Sequence, residues 1–212
     1  HDMRGMLQME TGDIDNAIVS FSKSIKAEPS LVTPYHNRAI AYKKQGRYED
    51  AERDFLSAIK INNDIGQLHF SKGKLMELKG DTKSAAYFYK TAIEKNGYYP
   101  QAATNYSALL KAEGEYTKSM IHINRAIDDS PDTIENYYVR GGLYFIYGEY
   151  SNAIEDFDKY LSVRDGDNEA LFYRGLSKIL NDDELDGCRD LSDSVDNGYS
   201  GPNVDIILYM CE

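Results

Sequence analysis

The feature that most constrains this 212-residue chain is a repeat period of 34 residues. Gly12, Gly46, Gly80, Gly114 and Gly148 stand 34 apart, and the next step of the same length falls on Asp182. Five residues after each comes a small residue: Ala17, Ala51, Ala85, Ser119, Ala153 and Gly187. A large apolar residue follows four positions later, at Phe21, Phe55, Tyr89, Ile123, Phe157 and Leu191. Four further on are Ile25, Ile59, Ile93, Ile127, Leu161 and Val195. A fixed period of this length points to a repeat architecture in which each unit buries its apolar face against the next.

Small, large and branched apolar residues recurring every four positions mark one face of a helix. The glycine before them can take the left-handed conformation that ends a preceding helix, so each unit reads as helix, tight turn, helix. Seven residues before each turn lies another small residue, at Gly5, Ala39, Gly73, Ser107, Gly141 and Gly175. The two small columns let the paired helices approach, and the large residue fills the space beside them. Thr33-Pro34 and Gly201-Pro202 are expected to place proline at a first helical position, where its missing N–H costs nothing.

These columns resemble the tetratricopeptide repeat family, whose pattern is W-x2-L-G-x2-Y, then A-x3-F, then P. Gly141, Leu143 and Tyr144, the pairs Ala153-Phe157 and Ala51-Phe55, and the unit-ending Pro29 and Pro131 carry the match. The chain departs from the pattern in having no Trp, whose place is taken by Tyr35, His69, Ala103 and Tyr137, and in the loss of the turn glycine from the sixth unit. The resemblance implies an all-α, right-handed superhelical solenoid of antiparallel helix pairs forming one domain. Its units would be residues 1–31 (partial), 32–65, 66–99, 100–133, 134–167 and a degenerate 168–201, with a capping helix at 202–212. The tail is similar to the closing segment of many bacterial repeat proteins of this family. Val204, Ile206, Ile207, Leu208 and Met210 are too apolar to leave in water, so this helix is expected to cover the sixth unit. His1 falls inside what should be a helix, which implies that the natural protein extends upstream.

Charge argues against nucleic acid as a partner, because the chain carries a formal −11 where counterion release needs a basic surface. Its distribution is uneven: residues 1–127 hold 18 Lys/Arg and 15 Asp/Glu, and residues 128–212 hold 6 and 20. That end is either a solvated acidic surface or one facing a basic partner. No stretch is long and apolar enough to span a membrane, so a soluble protein is expected. It would be cytoplasmic, or periplasmic or otherwise extracytoplasmic if a leader was removed. His1, His36, His69 and His122 lie in different units without the i, i+4 spacing of a helical metal site, so no metal or cofactor is expected. No phosphate-binding glycine loop or nucleophile elbow occurs, and no catalytic residue is assigned. Cys188 and Cys211 should be spatial neighbours if the closing helix packs on the second helix of unit six; free thiols and a disulfide both remain open.

The resemblance also implies that first helices of successive units line a concave groove. In register, Asn37, Lys44, Lys74, Asn105 and Lys111 would give a polar, mildly basic floor at its N-terminal end. Tyr138, Phe145 and Phe172 would give an aromatic C-terminal end, with Tyr138 and Phe172 expected to stay accessible and repeat packing burying the remaining rings. The Lys/Arg/Asn set with which family members grip a peptide's C-terminal carboxylate is not reproduced. The expected function is a non-enzymatic adaptor that binds a peptide or protein segment in this groove. Two alternatives are a self-associating structural array and an accessory portion of a larger protein whose activity lies outside this chain. The oligomeric state is left open.

Overall fold

A computed structural model describes residues 2–95, 99–201 and 211, and it divides the chain into two compact units, 1–106 and 107–212. The closing helix expected at 202–212 lies, except for Cys211, outside the described residues, as does Pro202. Every regular element among the described residues is an α-helix. In the first unit α1 (Asp2–Glu10) pairs with α2 (Ile14–Ala27), α3 (Val32–Lys44) with α4 (Tyr48–Ile61), and α5 (Gly66–Leu78) with α6 (Thr82–Glu94). The unit boundary falls within α7 (Pro100–Ala112). The second unit continues with α8 (Tyr116–Asp129), α9 (Ile134–Tyr147) paired with α10 (Tyr150–Leu161), and α11 (Asn168–Leu180) paired with α12 (Glu184–Asp196). Within each unit successive pairs stack, α2 on α3 and α4 on α5, then α8 on α9 and α10 on α11.

The turn column does what its residues require. Gly46 sits at φ 72°, its N–H donates to the Lys43 carbonyl, and the Arg47 N–H reaches back to Tyr42 at 2.9 Å. This satisfies helix-end carbonyls in the manner of a Schellman motif. Asp182 keeps the same geometry without glycine: φ is 64°, and the Asp183 N–H donates to Lys178 at 2.9 Å. Aspartate tolerates the left-handed region better than most side chains but still carries strain there. Asp182→Gly is therefore expected to stabilise the second unit by about 0.5–1 kcal/mol. An unchanged or lowered urea midpoint would show that the aspartate stabilises the turn in some other way.

The packing columns interlock. Ala17, Ala51, Ala85 and Ala153 are fully buried, as are Phe21, Phe55, Tyr89 and Phe157. A Cβ added at Gly73 would stand 2.6 Å from the Tyr89 ring, and one at Gly5 2.5 Å from Phe21. Ring and missing side chain are thus one fitted contact, repeated from unit to unit. Pro34 corrects one expectation: α3 begins at Val32, so the proline is the third helical residue. It is still in the first turn, where no intrahelical partner awaits its N–H.

A polar column joins neighbouring hairpins. Arg38, Arg140 and Arg174 each grip the aspartate 16 residues ahead, Asp54, Asp156 and Asp190, with both oxygens held at 2.7 or 2.8 Å. The remaining guanidinium nitrogen reaches back 16 residues, to Ser22, Asn124 and Asp158. Each arginine so ties its own helix to the second helices of two adjacent hairpins. Its planar fork suits a bidentate bond that a lysine could not copy.

His36 packs against the Phe55 ring, with Nε2 2.9 Å from the Ser71 hydroxyl, and His69 Nε2 lies 3.0 Å from the Asn63 carbonyl. Burial lowers both imidazoles below the ordinary value, and Lys43 adds to the effect on His36. A histidine depressed in the folded state binds more protons when unfolded, so its stabilising contribution is present above about pH 6.5 and is lost as pH falls below it. The free energy of urea unfolding should decline between about pH 7.5 and 5.5, and His36→Gln should flatten that slope. An equal slope in the variant would place the titration elsewhere.

Candidate functional site

In the second unit, residues from four helices enclose a cavity of about 310 Å³. Its walls are Lys111 from the end of α7, Tyr138, Gly142, Phe145 and Ile146 from α9, and Glu169 and Tyr173 from α11, over the buried Phe157 ring of α10. The rings are fixed by one another: Tyr138 lies 6.2 Å from Phe157 and 5.0 Å from Tyr160, and Phe145 lies 5.4 Å from Tyr173. Edge-to-face and tilted contacts of this kind hold aromatic side chains in place before any ligand arrives.

The electrostatics follow from this enclosure. The Lys111 ammonium lies over the Tyr138 ring at 5.4 Å and rests against Gly142, where an added Cβ would be 2.6 Å from Nζ. Burial holds Lys111 below the ordinary lysine value, and Glu169 partly offsets this. Tyr138 is pushed well above the ordinary phenol value by burial and by the Glu169 charge. Its hydroxyl therefore stays protonated across the physiological range.

Of the sequence-derived candidates, the structure brings Lys111, Tyr138 and Phe145 together in this cavity. Phe172 is a correction: it is only 4% exposed, because Tyr199 stacks on it with ring centroids 4.2 Å apart. It belongs to the core, and the wall position falls to its neighbour Tyr173. Gly142, Ile146, Glu169 and Tyr173 line the cavity as well, and for Gly142 and Tyr173 the register held the signal. Tyr173 occupies the column of Asn37 and Asn105, and Gly142 that of Lys74.

The first unit holds the other candidates. Asn37 donates to Asp2 at 3.5 Å and, with Met6, Met9, Glu10, Phe21 and Ile40, lines a shallow depression of about 210 Å³. Lys44 is exposed, and together with Lys74 it helps burial to lower Lys43. Lys74 pairs with Glu77 at 3.1 Å, and Glu77 accepts a 2.5 Å bond from the Tyr89 hydroxyl, which Asn105 also contacts. Lys74 and Asn105 are thus engaged within the protein, and the surface they share is less basic than the count of lysines suggested. Cys188 and Cys211 are joined as a disulfide with Cα atoms 5.6 Å apart. Among the described residues no helix is long and apolar enough to cross a membrane, and no three His, Cys, Asp or Glu side chains are grouped to hold a metal ion.

Helix pairs on a 34-residue register, with side chains of first helices lining an open cavity, define a helical-repeat interaction scaffold. Sequence models described as "Tetratricopeptide repeat" match residues 33–65 and 1–31. The chain is 27% identical over 167 residues to tetratricopeptide repeat protein 13 of Homo sapiens, covering 79% of this chain and 16% of that protein. It is 22% identical over 187 residues to the tetratricopeptide repeat and J domain-containing co-chaperone DNJ1 of Cryptococcus neoformans, covering 79% and 36%. The chain therefore spans well under half the length of these relatives. Its fold is similar to that of YrrB, described as a TPR protein with an unusual peptide-binding site, with a TM-score of 0.74 at 15% identity, covering 88% of this chain and 96% of that one. Residues 1–31 and 33–65 are thus matched as tetratricopeptide repeats, and the rest of the chain continues the same 34-residue helical register in an all-α repeat solenoid similar to proteins of that family, whose repeats generally serve protein–protein interaction.

Proposed function

We propose that this chain is an adaptor that holds a segment of a partner protein at the cavity of the second unit. The observation carrying this reading is the cavity's construction: a mutually braced set of aromatic rings, open to the surface, formed by first-helix residues of neighbouring hairpins over the Phe157 ring of α10. A concave site of about 310 Å³ with apolar walls and a few polar groups suits one large side chain of a bound segment. Such an anchor, once desolvated, contributes more to affinity than exposed lysines do. The lysines of the first unit add only a secondary, salt-sensitive attraction.

Panning a random peptide display library against the wild-type chain, with counter-selection on Gly142→Phe, tests the reading. The phenylalanine is placed to fill the cavity. Selected peptides should carry an aromatic or large aliphatic residue at one position, and raising salt should change their affinity only modestly. Peptides that bind both proteins equally would place the site elsewhere. Reversible oligomers in sedimentation, with no selectable peptide, would favour self-association instead.

A further inference from the structure

The cavity carries two charges of opposite sign. Lys111 Nζ lies on one side, given room by the missing side chain of Gly142, and Glu169 lines the same cavity from the start of α11. Glu169 acts on Lys111 through space, and its carboxylate also accepts from the Tyr138 hydroxyl, which leaves it further acceptor positions. Elsewhere in this unit Arg140 and Arg174 hold Asp156 and Asp190, and Lys178 pairs with Asp190 at 2.8 Å. Lys111, half-buried, and Glu169, exposed, line one cavity that opens to the surface.

Building on the preceding reading of the cavity, we infer that the polar group it takes is an uncharged amide, whose carbonyl oxygen accepts from Lys111 Nζ while its N–H donates toward Glu169. A peptide bond and an Asn or Gln carboxamide share this chemistry. The alternatives each fail on one side. A carboxylate would gain Lys111 but face Glu169, within a unit that holds 9 Lys/Arg and 22 Asp/Glu. An ammonium or guanidinium group would gain Glu169 but meet the half-buried Lys111. A hydrocarbon alone would leave the Lys111 ammonium stripped of water without a partner, which is costly. An amide satisfies both charges, adds none, and makes two hydrogen bonds to ionised groups, which are the stronger kind. Its flanking apolar side chain then rests on Tyr138, Phe145 and Tyr173.

The test is a set of small probes titrated into the full chain and followed by NMR of the Lys111 side chain and the cavity aromatic signals. The set comprises N-acetyl-phenylalanine N-methylamide, 3-phenylpropanamide, N-acetyl-phenylalanine as its carboxylate, phenethylammonium and toluene. The amides should bind about ten-fold or more tightly than the two charged probes, since one hydrogen bond to an ionised group is worth roughly that factor. A stronger response to the methylamide identifies backbone recognition, and one to the propanamide identifies a side-chain carboxamide. Lys111→Met should remove most of the preference for amides over toluene while toluene binding persists. A tighter carboxylate or ammonium, or an unchanged amide preference in Lys111→Met, overturns the inference and leaves the cavity as an apolar anchor site. If no probe, toluene included, perturbs the cavity signals, the reading of the cavity as a binding site falls, and this inference with it.

Discussion

Truncating Asp156 to alanine is expected to cost about 3–5 kcal/mol of folding stability, far more than the loss of an ordinary surface ion pair. The Asp156 side chain is only 7% exposed and that of Arg140 21%, and both carboxylate oxygens are held by the guanidinium. Without the carboxylate, Arg140 keeps one bond, to Asn124 at 3.3 Å, and its charge remains against the Tyr137 and Tyr144 rings. An uncompensated buried charge is the expensive outcome, whereas removing both partners is much cheaper. Arg140→Met combined with Asp156→Leu should therefore recover most of the loss. The measurement is urea unfolding of the single and double variants. A single variant within about 1 kcal/mol of wild type would show that Arg140 swings out to water and that the pair is no link between hairpins. Truncating Asp190 should cost less of Arg174's pairing, because Arg174 keeps a second carboxylate, Asp158, at 2.8 Å where Arg140 has only the neutral Asn124.

How far the sequence could be read depends on whether a residue's role is set by its own repeat column or by a neighbour outside it. The turn glycines, the alanines beside them and the rings they admit are column properties, and their helices follow from the 34-residue period alone. Asp182 departs from its column in identity but not in φ, because the chain ends at that turn still need the left-handed residue. The arginine column was present in the sequence at Arg38, Arg140 and Arg174 but passed unread. At the equivalent positions of the intervening units stand Lys72 with Phe88 and Tyr106 with His122, which interrupts the pattern. Lys72 is buried all the same, paired with Glu52 at 2.6 Å and facing the Phe88 ring at 5.5 Å. The column therefore keeps a buried cation there with a different partner. Phe172 was misplaced for the complementary reason: its column predicts a groove wall, but Tyr199, outside every column, covers it. Glu169 could not be singled out among 35 acidic residues, because its significance comes only from the cavity it shares with Lys111.

For a peptide selected on the wild-type chain, Tyr138→Ala with Tyr173→Ala should weaken binding by at least about 30-fold, the equivalent of roughly 2 kcal/mol for a buried aromatic anchor. Lys44→Ala with Lys74→Ala should change it by less than about five-fold, the range of exposed charge contacts. Exposure decides the contrast. Lys44 is out in solvent and Lys74 already pairs with Glu77, so neither gives up much when truncated. Tyr138 and Tyr173 wall the open cavity beside Phe157 and Phe145, where a ligand side chain displaces water from the rings it covers. Because these rings also brace one another, each variant's urea midpoint is needed to separate lost contact from lost fold. Tyr138→Phe supplies a second control: it keeps the ring and removes only the hydroxyl near Glu169, so it should bind apolar anchors almost as wild type does. A dominant lysine pair, with affinity collapsing in moderate salt, would mean that the ligand is acidic and is held by the first unit. Loss of binding in Tyr138→Phe equal to that in the alanine pair would shift the weight from the ring to its hydroxyl.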